Sequence, residues 1–148
     1  MTLTMLDKQA AHSDKSAWPA QIQAEFDREA KAPNPCVGTV LLSENERSRV
    51  WMITLKPGER IGFHRHVLDY FWTSVNGGRG RQHVKGGTTV EYSYIPGETR
   101  HETYAADEYK VHDLENIGDQ DMTFMTIEYL DSANKPMPLP SEVRRLAA

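Results

Sequence analysis

From Cys36 onward the chain breaks into short runs rich in β-branched and aromatic residues, each closed by a turn sequence, and this rhythm restricts the fold more than any other feature. "CVGTVLL" and "RVWMITL" flank the polar "SENERS", a hairpin pattern. "LDYFWTSV" leads into "NGGRGRQHVKGG", whose glycine clusters predict a turn, a strand and another turn. "TTVEYSYI", "PGETRHETYA", "YKVHDLEN", the turn "IGDQD" and "MTFMTIEYL" continue the series. Strands recurring every 8–12 residues or so predict an all-β sandwich or barrel.

The segments on either side are different. Met1 to Ser16 is polar without a period and predicts a mobile tail. "SAWPAQIQAEFDREAKAP" predicts a short helix capped by Ser16, with Pro19 in its first turn, Pro33 as its stop, and Ile22 and Phe26 as a narrow apolar stripe. "DSANKPMPLP" predicts a proline-rich wrap, and "SEVRRLAA" a last helical turn. The expected division is a tail and helix over 1–33, a β-barrel over 34–131 and a C-terminal wrap over 132–148.

A chain of 148 residues suits one domain with a sizeable core. Its formal net charge is −4 and it has no dense Lys/Arg block, so neither nucleic acid nor an anionic membrane is expected as a partner. No apolar run approaches the roughly 20 residues of a membrane span, and no signal-like segment follows the first residues. The single cysteine, Cys36, excludes an internal disulfide framework. A cytoplasmic location is the expectation. Open sheet edges, with the segment up to "CVGTVLL" available to cover a partner's edge, predict a homodimer.

Six histidines are the candidates for chemistry. His12 lies in the tail and is expected to be solvated. His64 and His66 are one residue apart in "GFHRHVLDY", read as a strand, so both face one side, with Leu68, Tyr70 and Trp72 continuing that face. Two imidazoles on an apolar face are costly to bury unpaired, and a metal ion offers both a partner. The pair alone fits satisfied core or surface histidines equally well. His83 is expected on the barrel wall, facing outward or lining the mouth. Arg60, Arg79 and Arg81, near strand ends and glycine turns, are either solvated charges or an anion-recruiting rim.

"PGERIGFHRHVLDYFWTSVNG" resembles the first motif of the cupin superfamily, with Gly58, His64, His66 and Gly77 on its glycine and histidine positions and Tyr70 where the family has glutamate. "HETYAADEYKVHDLEN" matches the closing part of the second motif through His112 and Asn116, whereas His101, Asp107 and Tyr109 replace its opening glycine, proline and glycine. The likeness spans roughly residues 36–131 and implies a double-stranded jelly roll. "HRHVLDYFW" and "HDLENIGD" are most similar to small single-domain cupins, some associated with β-alanine degradation.

The resemblance implies a metal held by His64, His66 and His112: Fe, Zn, Ni or Cu. His101 would be a fourth ligand or an acid–base group, against the more ordinary reading of a loop or strand histidine. With the neutral phenol of Tyr70 in the acid's place, the ion keeps its charge and favours a small carboxylate or other anion. Proton transfer then falls to Tyr70, His101, Glu128 or water. The alternative is a bulge near Leu68 that turns Asp69 inward. The expected function is a metal-dependent enzyme, an oxygenase foremost. An isomerase or lyase, or a non-catalytic binder of metal or small ligands, are the alternatives.

Overall fold

A computed structural model describes residues 17–146 of the chain and, through their backbone, residues 8–12. The described residues form ten strands and one helix: β1 (Lys8–His12), α1 (Ala20–Lys31), β2 (Val40–Glu44), β3 (Ser48–Leu55), β4 (Arg60–His66), β5 (Tyr70–Ser74), β6 (Gly78–Val84), β7 (Thr88–Tyr94), β8 (Thr99–Glu102), β9 (Lys110–Asn116) and β10 (Met122–Tyr129). Side-chain alternation sorts each strand into two faces. In β3, Arg49, Trp51, Ile53 and Leu55 are buried, whereas Val50, Met52 and Thr54 are not. In β10, Met122, Phe124, Thr126 and Glu128 are buried. The inner sets of the two five-stranded antiparallel sheets, β1-β7-β6-β9-β4 and β2-β3-β10-β5-β8, face one another. Ile53, Leu55, Tyr94, Leu114, Met122 and Phe124 form the largest core cluster between them.

Two residues of the sequence motif close the turns at one end. Asn116 is fully buried; its amide donates to Leu55 O and Gln120 O, and its Oδ1 accepts the Gly118 N–H. Gly77 has φ +75°, and a Cβ there would meet Tyr94 O at 2.9 Å, so both conformation and space require glycine.

Helix α1 covers the outer face of the first sheet. Its Ile22 and Phe26 stripe packs with Trp18, Phe63 and Val111. Ion pairs frame this contact. Arg60 makes two hydrogen bonds to Glu25, at 2.8 and 2.9 Å, and a third to the fully buried Asp113, at 2.7 Å. Arg65 pairs with the buried Glu29 at 2.9 Å. Glu25 also accepts the Phe63 N–H at 2.7 Å, and Asn34 O accepts the Arg65 N–H at 2.8 Å. The edge of β4 is thereby capped.

Several expectations change here. Residues 8–12, expected within a mobile tail, pair antiparallel with β7, because the edge of β7 offers unpaired backbone groups that polar composition does not reveal. The His12 side chain and Ser16 lie outside the described residues; the helix begins after Pro19, which makes no side-chain cap. The expected C-terminal helical turn is extended instead. Leu41 N–H donates to Arg144 O and Leu146 N–H to Leu41 O, so this segment covers the edge of β2. "GFHRHVLDY" is two strands in different sheets, β4 and β5, joined by a corner at 67–69.

Glu25 joins helix, edge strand and Arg60, so Glu25→Ala should cost roughly 2–3 kcal/mol by leaving Arg60 and the Phe63 N–H short of partners. Urea denaturation of the variant measures it; a loss within experimental error would mean that the apolar contacts alone hold α1.

Candidate metal centre

Alternation along β4 is broken once, and the break builds the site. Ile61 packs inward against the main core. Strict alternation would then send Phe63 inward and His64 outward. In the pairing with β9, however, Ile61 lies opposite Leu114 and His64 opposite His112, three steps against two. The extra residue is a β-bulge at Gly62–Phe63. It turns Phe63 out under α1 and brings His64 and His66 inward. Gly62 suits the bulge because a Cβ there would meet the Glu25 carboxylate at 2.9 Å. On β9, Val111 and Asp113 belong to the outer face and His112 to the inner one.

The three imidazoles offer ligand atoms that all lie within 4.8 Å of one another. His64 and His66 are buried and His112 is partly buried. His64 Nδ1 lies 2.9 Å from Gly62 O, and His112 Nδ1 lies 2.7 Å from Gln82 Oε1. Both oxygens accept, so each Nδ1 carries the proton and each Nε2 keeps its lone pair for the site. Gln82 is oriented in turn by donating from Nε2 to the Tyr94 hydroxyl at 2.9 Å. Gln82 was not a candidate from sequence; its inward position on β6, two residues from Val84 opposite His112, is the signal that finds it.

His66 Nε2 and His112 Nε2 are 3.1 Å apart. Two nitrogens each about 2.1 Å from one ion subtend roughly a right angle at that separation. Burial holds the His64 ring down at about 4, and it holds His66 and His112 well below the ordinary histidine value. All three are therefore neutral near pH 7, the form that binds metal. His66 Nδ1 is buried without a hydrogen-bond partner, but three neutral rings converging here, two of them with fixed tautomers, fit a divalent ion.

Tyr70 also lines the chamber at these histidines, a cavity of about 40 Å³. Its ring stacks on His66 at 4.0 Å with an 11° interplanar angle. Burial pushes its phenol well above the ordinary value, so it stays neutral. Tyr70 reaches this place by crossing to the other sheet, where β5 begins, and not by alternation along one strand. Asp69 is held elsewhere: its Oδ1 accepts the Tyr104 N–H at 2.9 Å, and its own N–H donates to Ser132 Oγ.

The structure does not bring His101 to the site. It lies opposite Phe71 on the outer face of its sheet, exposed, with the two rings 5.4 Å apart. His83 faces outward as well, buried beside Trp18 and paired with Asp113 at 2.8 Å. Arg60 is spent on Glu25 and Asp113, while Arg79 and Arg81 pair with Glu91, and Arg81 also with Glu115. None of the three forms an anion-recruiting rim. The cations next to the histidines are Arg100 and Lys110, which line an adjoining vestibule.

Glu128 lies on the inner face of β10, opposite Tyr70 in register. Trp51 Nε1 donates to its Oε1 at 2.8 Å. Burial nevertheless pushes its carboxyl up to about 7.

No family model and no curated protein matches the sequence. Solved structures do match. A cupin domain protein from Bordetella pertussis Tohama I is 26% identical over 59% of this chain and 85% of that one, with a TM-score of 0.52. The chain folds as a cupin. An RmlC-like cupin family protein with a double-stranded β-helix fold, from Methanocaldococcus jannaschii, is 14% identical over 61% of this chain and 76% of that one, with a TM-score of 0.50. The cupin fold accounts for the two facing sheets, and these likenesses do not show the association with β-alanine degradation. Among the described residues no helix is long and apolar enough to cross a membrane.

Glu128 sets a pH dependence. Its folded value of about 7 stands above the ordinary carboxylate value of 4.5, so folding favours the protonated form. The ionisation penalty is absent below about pH 4.5, grows as pH rises, and is complete above about 7. Glu128→Gln should therefore be near neutral at acid pH and stabilising by roughly 2–4 kcal/mol above pH 7. Melting curves from pH 4.5 to 8.5 check this; a variant less stable than the wild type at pH 8 would refute it.

Proposed function

We propose that this cupin is a metal-dependent enzyme acting on a small anionic molecule, with His64, His66 and His112 holding a divalent Fe, Zn, Ni or Cu ion. The observation that carries this reading is the convergence of three neutral imidazoles on a chamber with no fourth protein ligand among the described residues. Structural sites are closed by four protein ligands, whereas catalytic sites keep a position open for water or substrate.

A bound ion supplies Lewis acidity and, for Fe or Cu, a redox centre. The chain's own residues set what reaches it. No carboxylate belongs to the histidine cluster, so the ion's charge is not offset and an anion is favoured. Tyr70, neutral and packed flat on His66, fixes that ring and can donate a hydrogen bond to an oxygen of the ligand. The Ile53, Trp72, Leu114 and Phe124 side chains exclude water and suit a small neutral co-substrate such as dioxygen, which favours oxygenation. Metal-assisted isomerisation or elimination, and binding without turnover, are the competing outcomes. Cys36, a partly buried lone thiol, suits a reducing cytoplasm.

Alanine at His64, His66 or His112 should cut bound metal to about a tenth or less, with His83→Ala keeping its full content, because only the first three converge. Tyr70→Glu should weaken the binding of small carboxylates. Metal analysis of the purified variants reads the first result, and calorimetry the second. Equal metal in all four alanine variants removes the ligand set. Oxygen uptake by the Fe(II)-loaded protein across a carboxylate panel distinguishes oxygenation from Lewis-acid chemistry, and a lack of any turnover favours a binder.

We also propose a homodimer, through a different surface from the edges expected above. The edge of β2 is covered by the chain's own C-terminal segment, and β1 is paired with β7. Helix α1 covers the outer face of the first sheet. The outer face of the second carries Val50, Met52, Phe71, Met125, Ile127 and Tyr129, all partly or fully exposed. Sedimentation at micromolar concentration should give twice the monomer mass, and Ile127→Glu should reduce it to the monomer with metal content unchanged. A wild-type monomer would end this proposal.

A further inference from the structure

Ser43, Val50, Ile127, Phe71 and His101 are paired in register and form one row across all five strands of the second sheet, on its outer face. The row beside it runs Val40, Met52, Met125, Thr73 and Thr99. Neither row contains an acid, a lysine or an arginine, and neither do the flanking outward positions Ser48, Thr54, Thr123 and Tyr129. The outer face of the first sheet is the opposite, with Arg60, Arg79 and Arg81 in ion pairs to Asp113, Glu91 and Glu115.

In a chain with 26% charged residues, a sheet face without one has the composition of an interface core, where charge is depleted and Met and aromatic side chains are enriched. The hydroxyls of Thr73 and Thr99 already pair at 2.8 Å, so covering them leaves neither without a partner. A charged surface laid on this face would lose its water and gain no counter-charge, so the face suits a partner equally free of charge. A second copy of the same face is such a partner, and a two-fold axis sets it against itself.

His101 is the exception. It is exposed, and its ring lies 5.4 Å from Phe71, whose ring lies 6.3 Å from Tyr129, so it is continuous with the apolar patch. Its neighbours on the face are Phe71 and Thr73 of β5 and Thr99 of its own strand, with Tyr129 of β10 beyond Phe71. The charged residues of β8, Arg100 and Glu102, line the vestibule on the inner side. Because the partner face is identical, what lies across the contact is known as well: it holds no carboxylate either.

We infer that this face joins two copies of the chain and that His101 makes the contact sensitive to acid, because an imidazolium there meets no carboxylate in its own copy or in the other. The inference rests on the homodimer reading above and adds what controls it. The separated face takes up a proton more readily than the covered one. Association is therefore full while the imidazole is neutral and is lost as pH falls through the ordinary imidazole range, about 6–7. Two protons per dimer allow up to about a hundredfold in Kd per pH unit below that range.

Sedimentation equilibrium over a concentration series at pH 8 and pH 5.5 reads the dimer Kd of the wild type, His101→Gln and Ile127→Glu. The wild type should dimerise at pH 8 and weaken by about tenfold or more at pH 5.5. His101→Gln keeps a polar side chain that gains no proton, and should hold the same Kd at both. Ile127→Glu should be monomeric at pH 8. A wild-type Kd that does not change with pH overturns the role of His101 and leaves the dimer standing. Equal weakening of His101→Gln by acid does the same, since that variant retains Glu128 and the buried histidines. A dimer that survives Ile127→Glu lies on another surface and overturns the inference, and a wild-type monomer at pH 8 overturns the homodimer reading with it. Loss of the near-ultraviolet circular dichroism of the wild type at pH 5.5 would mean unfolding in place of separation, which also overturns it.

Discussion

The pairing of β4 with β9, offset by one extra residue at Gly62–Phe63, is the constraint on which the rest depends. One bulge assigns Phe63 to the outer face and His64 to the inner one, so a single irregularity builds the seat for α1 and the seat for the candidate ion together. Its stability comes from outside the site. Glu25 reaches from the helix to the Phe63 N–H and to Arg60, and Arg60 reaches on to Asp113, the neighbour of His112. Polar contacts on the outer face thus hold the register that the inner face needs.

The inner face has the opposite electrostatic character. Three imidazoles, the phenols of Tyr70 and Tyr94, Gln82, Thr126 and apolar side chains surround the chamber, and burial keeps the imidazoles and both phenols neutral. A cavity of this kind has no intrinsic preference for an ion of either sign until the imidazole lone pairs engage a cation. After that, the uncompensated charge decides what binds next. Fixed charges begin only at the vestibule, where Glu98, Arg100, Glu102 and Lys110 balance one another. The three candidate ligands are thereby kept apart from the fixed charges of the vestibule.

Much of this was legible in the sequence for definite reasons. Alternation and turn chemistry are local, so nearly every strand from β2 onward falls inside a run that its residues predict. His64 and His66 share a face because they are two residues apart, wherever the strand lies. His112 was found only through its likeness to a family motif, because no local rule links β9 to β4 across the intervening chain. Tyr70 lies on the expected side for a different reason: the chain turns a corner after His66 and re-enters the interior from the opposite sheet.

What the sequence determined by itself was the kind of fold and the residue types available, since these follow from periodicity, glycine turns and the spacing of two histidines. Tertiary structure decided which side chains meet. His101 faces outward because it pairs in register with Phe71, and the same alternation sends Arg100 and Glu102 inward. Arg60, Arg79 and Arg81 are drawn to carboxylates on the outer face. Residues 8–12 are a strand because β7 has an open edge. Each outcome depends on a partner distant in sequence, and pairing across a sheet is a property of the folded whole that no single segment encodes.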